Sequence, residues 1–257
     1  LKILLTGFQR SGTSMHMRIF SGHPQVRCVF NETGILTRSE DVIDSLLKKK
    51  SVTREDIWFE KLPFNRSYIK KRIDPKGKER TNVHINDYYQ KWFETFGNEA
   101  RIIFVARHPI DVVMSNQALS KRKNKNRVAQ VDKLLMKYAV SVTAALNYLK
   151  NMNNVLFIKY EDTLINPEQN IKKLFRFCGL SVDLKNTTIN KKADGIYIGR
   201  RKIRKDRAFA YRYRNDIIKV PIEIEHTIDL IDFVVHGTNY NMKKGVNSIE
   251  DTCGWIP

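Results

Sequence analysis

Cysteine is scarce in this sequence, acidic residues are outnumbered, and long apolar runs are missing. The 257 residues include 3 cysteines, Cys28, Cys178 and Cys253, widely spaced and without any Cys-x-x-Cys pair. That pattern excludes a cysteine zinc site and a dense disulfide framework, and leaves a core thiol as the default for Cys28 or Cys178. No apolar stretch approaches the roughly 20 residues of a membrane helix, and the start carries no charged segment followed by an apolar run and a cleavage site. Asp and Glu number 27 against 46 Lys and Arg, a formal charge of +19. Polyanions, membrane surfaces and anionic small molecules are therefore the partners to look for.

What is present points to an α/β fold. The 42% hydrophobic content is ordinary for a globular chain, and the length suits one domain over residues 1–257. Buried parallel strands read as continuous apolar runs, and three stand out: "LKILLTG" at 1–7, "ARIIFVARH" at 100–108 and "NVLFIKYED" at 154–162. Each precedes a helical pattern: Ser14 to Phe20, closed by Gly22 and Pro24; a segment opened by Pro109; and "NPEQNIKKLFRFCGL", with Asn166 as cap, Pro167 in the first turn and Gly179 at the end. Such alternation predicts a mostly parallel central sheet flanked by helices. Val131, Leu134, Leu135, Tyr138, Val142, Ala145 and Leu149 recur at helical spacing, which predicts a long amphipathic helix over 128–152 with a core-facing stripe. "SKRKNKNR" at 120–127 reads as a basic connector and "IDPKGKER" at 73–80 as a second loop.

The junction after the first run, "GFQRSGTS", is nearly the phosphate loop G-x-x-x-x-G-K-[ST]. The glycines and the final hydroxyl are in register, but Thr13 stands where the lysine for the β- and γ-phosphates belongs. A different cation, Arg10, lies inside the loop. Ligands of parallel sheets bind beyond the carboxyl ends of the strands, so Arg10 to Ser14, Arg107, and Tyr160 with Glu161 belong to one crevice. Arg107 and Ser115, eight residues apart, can converge on a further anion from a strand end and the helix that follows. Two anion sites are expected, one at each loop.

The set "RSGTS", "ARHPIDVVMS" and "IKYEDTLINPEQNIKKLFRFCGL" resembles the sulfotransferases that use 3'-phosphoadenosine 5'-phosphosulfate (PAPS), in the family's order and over most of the chain. The resemblance implies that Arg10, Ser11, Gly12, Thr13 and Ser14 hold the 5'-phosphosulfate, that Arg107 and Ser115 hold the 3'-phosphate, and that Tyr160 touches the nucleotide. The stretch "RSGTSMHMRIFSGHPQVRCVFNET" is particularly similar to tyrosylprotein and membrane-type carbohydrate sulfotransferases and their bacterial relatives. By that likeness Glu32 is the base, with one extra residue before it here. Arg10 takes the place of a lysine in cytosolic relatives.

Moving a sulfuryl group to a hydroxyl requires removal of the acceptor proton and stabilisation of charge on sulfuryl and leaving-group oxygens. Cations and backbone N–H groups can do the second without a metal, and the resemblance implies none. Relatives add a lysine from a Lys-x-Pro segment on a neighbouring strand, which Lys61 before Pro63 matches in "IWFEKLPFN". His84 in "NVHIN" competes: it resembles the histidine base of Lys-Thr-His-Leu-Pro in the cytosolic enzymes, with Asn82 and Asn86 replacing the lysine and proline. The segment "GRRKIRKDR" falls where relatives close a basic loop over the 3'-phosphate, so Arg200, Arg201, Arg204 and Lys205 are all candidates.

The implied acceptor is a hydroxyl on an acidic glycan or an acidic tyrosine-containing peptide. The implied location is the cytoplasm if the chain is complete, or the Golgi lumen if an N-terminal anchor has been trimmed. Two other functions fit part of the pattern. A nucleotide-triphosphate kinase would need a lysine at position 13. A basic nucleic-acid binder would use the charge and the aromatic–arginine mixture "FAYRYR" at 209–214, and it predicts nothing about the loop spacing.

Overall fold

The computed structural model describes residues 1–26, 28–32, 40–49, 51, 53, 56–64, 72–73, 79–80, 85–122, 131–183, 189–192, 195–198, 201–203 and 222–237. The chain begins with β1 (Lys2–Phe8), α1 (Thr13–Ser21), β2 (Cys28–Asn31), α2 (Glu40–Lys49) and β3 (Trp58–Phe64). A small antiparallel hairpin follows, β4 (Arg72–Ile73) with β5 (Glu79–Arg80), then α3 (Ile85–Phe96) and a single 3-10 turn, Gly97–Glu99. Next come β6 (Ala100–Ala106), α4 (Pro109–Arg122), α5 (Val131–Leu149), β7 (Val155–Lys159), α6 (Tyr160–Ile165) and α7 (Pro167–Phe177). An antiparallel three-stranded sheet of β8 (Ile189–Lys192), β9 (Gly195–Ile198) and β10 (Arg201–Lys202) precedes α8 (Ile222–His236).

The main sheet has five strands in the order β2-β3-β1-β6-β7, and every pair is parallel. β1, β6 and β7 are largely apolar on both sides because both sides are covered. Ile3, Leu5, Ile103, Val105 and Ile158 pack under α1 and α7 with Ile19, Phe20, Ile171, Leu174 and Phe175. Leu4, Phe8, Ile102 and Phe104 face the opposite layer of Tyr89, Trp92, Leu135, Tyr138, Val142 and Ile228. From β1 the chain turns first toward β3 and β2, then crosses to β6 and β7. That reversal opens a crevice at the carboxyl ends of β1 and its neighbours.

Helix α8 is fastened to this sheet by polar groups as well as packing. The Lys159 ammonium at the end of β7 is buried in an ion pair with Asp232, and His236 Nε2 lies 3.4 Å from Asp162 Oδ2. Burial and the Lys159 charge hold the His236 pKa below its ordinary value, against the pull of Asp162. Thr143 and Thr227 join α5 to α8 through their hydroxyls at 2.9 Å. Among the described residues, no helix is long and apolar enough to cross a membrane.

Several boundaries differ from the sequence expectation. The second run stops at Ala106 and the third at Lys159, so Tyr160 to Asp162 open a helix instead of ending a strand. Glu161 and Asp162 in that first turn suit the positive end of a helix. The long helix spans Val131–Leu149 among the described residues and ends before the expected 152, with the expected stripe inward, while positions 128–130 lie outside the described residues. Ser120 to Arg122 continue α4, so the expected connector 120–127 starts as helix, and the expected loop 73–80 carries the ends of the β4–β5 hairpin. Asn166 precedes α7 but makes no side-chain cap. The joint is bridged by backbone instead: Asn166 N donates to the Asp162 carbonyl at 2.8 Å, and the Asn166 carbonyl accepts from Asn170 N at 3.1 Å.

Candidate active site

The loop between β1 and α1 is built to present amides. Gly12 caps α1 with φ of 100°, has no side chain to bond the first-turn amides, and so leaves the N–H groups of Thr13 and Ser14 at the positive end of the helix. Ser11 Oγ is buried without a hydrogen-bond partner among the described residues, which favours an oxygen-rich ligand there. A Cβ on Gly12 would lie 2.1 Å from Tyr160 Cδ2, so only glycine lets that ring close on the loop. Taking the 3',5'-bisphosphate nucleotide that the sequence resemblance implies as the probe, Gly12→Ala is expected to weaken its binding by about 10²-fold, from left-handed strain plus displacement of the ring. Calorimetry on Gly12→Ala and on Gly12→Ala with Tyr160→Ala checks this. Partial recovery in the double variant is expected, and wild-type affinity in the single variant would remove Tyr160 from the loop's design.

The strand register brings a lysine and a carboxylate to this loop. Lys61 lies opposite Leu5 of β1 on one side and Asn31 of β2 on the other. Its carbonyl accepts from Glu32 N at 2.9 Å, so the amides of Lys61 and Pro63 face the β2 side. β2 ends at Asn31, and Pro63 therefore lacks an N–H just where no strand remains to receive it. The Lys61 side chain, buried over most of its length, carries its ammonium to Ser14 Oγ at 3.2 Å and Glu32 Oε1 at 2.6 Å. Glu32 itself is half-exposed and stands at φ of 54°, in the left-handed region that side chains avoid. The resulting chain of contacts, loop hydroxyl to ammonium to carboxylate, ends at solvent.

On the other flank the two expected anion sites are joined. Arg10, also left-handed at φ of 78°, sends Nε to Ser115 Oγ at 3.1 Å. Arg107 Nη1 donates to the Arg10 carbonyl at 3.2 Å, and its guanidinium lies over the Tyr160 ring at 4.5 Å from the centroid. Arg10 thus bridges the first loop to α4, and Arg107 meets Ser115 only through it in the described hydrogen bonds. Tyr138, placed in the core stripe by its spacing, also donates its hydroxyl to the Arg107 carbonyl at 2.5 Å, and burial raises its pKa, with the Glu161 charge acting in the same direction. Glu161 is buried and accepts from His108 N at 3.1 Å, which ties α6 to the turn into α4.

Sequence reasoning missed His16. It is wholly buried on α1, with Nδ1 3.1 Å from the Gly12 carbonyl and Nε2 3.0 Å from Thr163 Oγ1. Burial pushes its pKa down to about 4, against the opposing effect of the Gly12 contact. The signal available was a histidine four residues past the loop glycine, on a helix otherwise apolar toward the sheet. His84, Arg200, Arg204, Lys205 and the stretch 209–214 lie outside the described residues; Arg201 opens β10, opposite Ile198, and the placement of its side chain is outside them as well. Cys178 is a buried free thiol whose pKa is raised by burial, which fits a packing role. Among the described residues no cluster of His, Cys, Asp and Glu could hold a metal.

Comparison with known proteins gives a consistent family. A family model described as "Sulfotransferase domain" matches residues 1–197. The fold is similar to the sulfotransferase domain from the curacin biosynthetic pathway, with a TM-score of 0.62 and 13% identity, covering 90% of this chain and 96% of that one. It is also similar to the sulfotransferase domain from the Synechococcus PCC 7002 olefin synthase, with a TM-score of 0.57 and 12% identity over 90% and 94% of the two chains. A sulfotransferase from Alicyclobacillus acidocaldarius gives a TM-score of 0.52 and 17% identity over 75% and 86%. Identities this low speak to the fold alone. No curated protein sequence matches the chain.

Proposed function

We propose a donor, an acceptor class and a base for this chain, which belongs to the sulfotransferase domain family and is therefore an enzyme of sulfuryl transfer. The donor is PAPS, which supplies the activated sulfuryl group. Ser11, Gly12, Thr13 and Ser14 hold its 5'-phosphosulfate through amides and hydroxyls, Arg107 and Ser115 hold its 3'-phosphate, and Tyr160 lies beside the nucleotide. Arg10 ties the two ends of that site together. The acceptor is a hydroxyl on an acidic glycan or an acidic tyrosyl peptide, and Glu32 takes its proton.

The observation that carries this reading is the Lys61 ammonium set between Ser14 Oγ and Glu32 Oε1. A cation there can follow charge onto the sulfuryl oxygens, and when it shifts toward them it releases the carboxylate to act as base. Arg10, Lys61 and Arg107 supply the positive charge that a metal would otherwise bring. The kinase alternative lacks support, since Thr13 stands in place of the phosphate lysine. Transfer from radiolabelled PAPS to a panel of acidic glycans, tyrosyl peptides and small alcohols tests the proposal. Label on none of them, with PAPS intact, would remove the acceptor assignment.

The nucleotide site has its own expected result. Calorimetry in the presence of a chelator should show adenosine 3',5'-bisphosphate binding about 10- to 100-fold more tightly than adenosine 5'-phosphate, the equivalent of roughly 1.5–3 kcal/mol for a charged hydrogen bond. Arg107→Ala should erase most of that difference. Equal affinity of the wild type for the two nucleotides would take the 3'-phosphate away from Arg107 and Ser115.

A further inference from the structure

Gly12, at φ of 100°, has its carbonyl held by the first turn of α1, accepting from Met15 N at 2.9 Å and His16 N at 3.3 Å, and it has no side chain to add to that hold. Contacts that lead back to α6 supplement it on two sides. Tyr160, the first residue of α6, closes on the Cα of Gly12, and Thr163, one turn later, reaches the Gly12 carbonyl through the His16 ring. We infer that His16 is a positioning residue for sulfuryl transfer: its Nδ1–H, kept in place by the Thr163 hydroxyl on Nε2, reinforces the α1 backbone bonds that orient the Gly12–Thr13 peptide with the Thr13 N–H toward the donor. The inference rests on the proposed reading of this loop as the phosphosulfate site.

The proton positions follow from the partners. The Gly12 oxygen can only accept, so Nδ1 must carry the hydrogen. The depressed pKa leaves the ring with a single proton at neutral pH, so Nε2 is an acceptor and Thr163 donates to it at 3.0 Å in preference to the Lys159 carbonyl at 3.3 Å. In a trans peptide the C=O and N–H point in opposite directions. The α1 backbone bonds to the Gly12 carbonyl turn the Thr13 N–H away from the helix body, and the His16 Nδ1–H adds a side-chain contact that holds the peptide in that orientation.

Two substitutions separate positioning from packing. Asn at 16 places an amide nitrogen where Nδ1 was and keeps the Gly12 bond; Gln places its amide where Nε2 was and keeps only the Thr163 bond. His16→Gln is expected to bind adenosine 3',5'-bisphosphate roughly tenfold more weakly than His16→Asn, the effect of about one hydrogen bond, whichever of the two melts higher. Equal affinities with differing melting temperatures would make His16 a core residue only. Long-range 1H–15N spectra of the wild type at pH 7 should show the Nδ1–H tautomer of His16, and the Nε2–H tautomer would overturn the inference. Those spectra need no nucleotide, so a wild type without affinity for the bisphosphate would refute the reading of the loop while the tautomer still decides the role of His16.

Discussion

Lys61→Ala is expected to lower turnover by about 10³-fold, the scale of losing one preorganised donor at a site of developing charge. The ammonium is buried beside the helix N-terminus that carries Ser14, where weak screening makes each charge count for more than in water. Its value lies in the transition state, when negative charge spreads over the sulfuryl and bridging oxygens. Affinity for adenosine 3',5'-bisphosphate, which lacks the sulfuryl group, should change by less than about tenfold. The fold should persist, because the partner Glu32 is half-exposed and water can take over its solvation, so the stability change stays near 1 kcal/mol. Single-turnover transfer, calorimetry and a thermal melt on the same preparation check all three. Wild-type turnover in this variant would reduce Lys61 to a strand residue and turn attention to His84.

Glu32→Gln should lower turnover by about 10²-fold with donor affinity nearly unchanged. Glutamine keeps the size, the left-handed backbone and a hydrogen-bond acceptor for Lys61, and removes only basicity. The loss should be in the maximal rate at saturating donor and acceptor, not in either Michaelis constant. His84→Ala is the paired control. Were it inactive while Glu32→Gln remained active, the proton would be leaving through the histidine, and the resemblance to the tyrosylprotein and carbohydrate enzymes would not extend to the base.

The parts of this protein that could be read from its sequence are those whose physics is local or periodic. Three apolar runs announced β1, β6 and β7 because a strand buried on both faces needs no polar alternation. The glycine loop, Pro109 and Gly179 marked turns and helix ends through their own backbone preferences. β2 and β3 were harder to see: Trp58–Phe64 holds Glu60, Lys61 and Pro63 within seven residues, a polar sequence for a strand between two others. It is tolerated because Lys61 and Pro63 sit at the carboxyl end, where pairing with β2 stops and the crevice begins.

By itself, then, the sequence determined an α/β chain with an anion loop that lacks the triphosphate lysine, and a short set of candidate cations around it. Which of those cations meets which partner was decided by tertiary structure. Lys61 reaches Ser14 and Glu32 because the parallel register sets β3 against both β1 and β2. Arg10 turns to Ser115, 105 residues away, and His16 meets Thr163 across 147. No spacing rule spans such separations. The left-handed turns at Arg10 and Glu32 cost about 1–3 kcal/mol each and persist only because the surrounding strands and helices hold them.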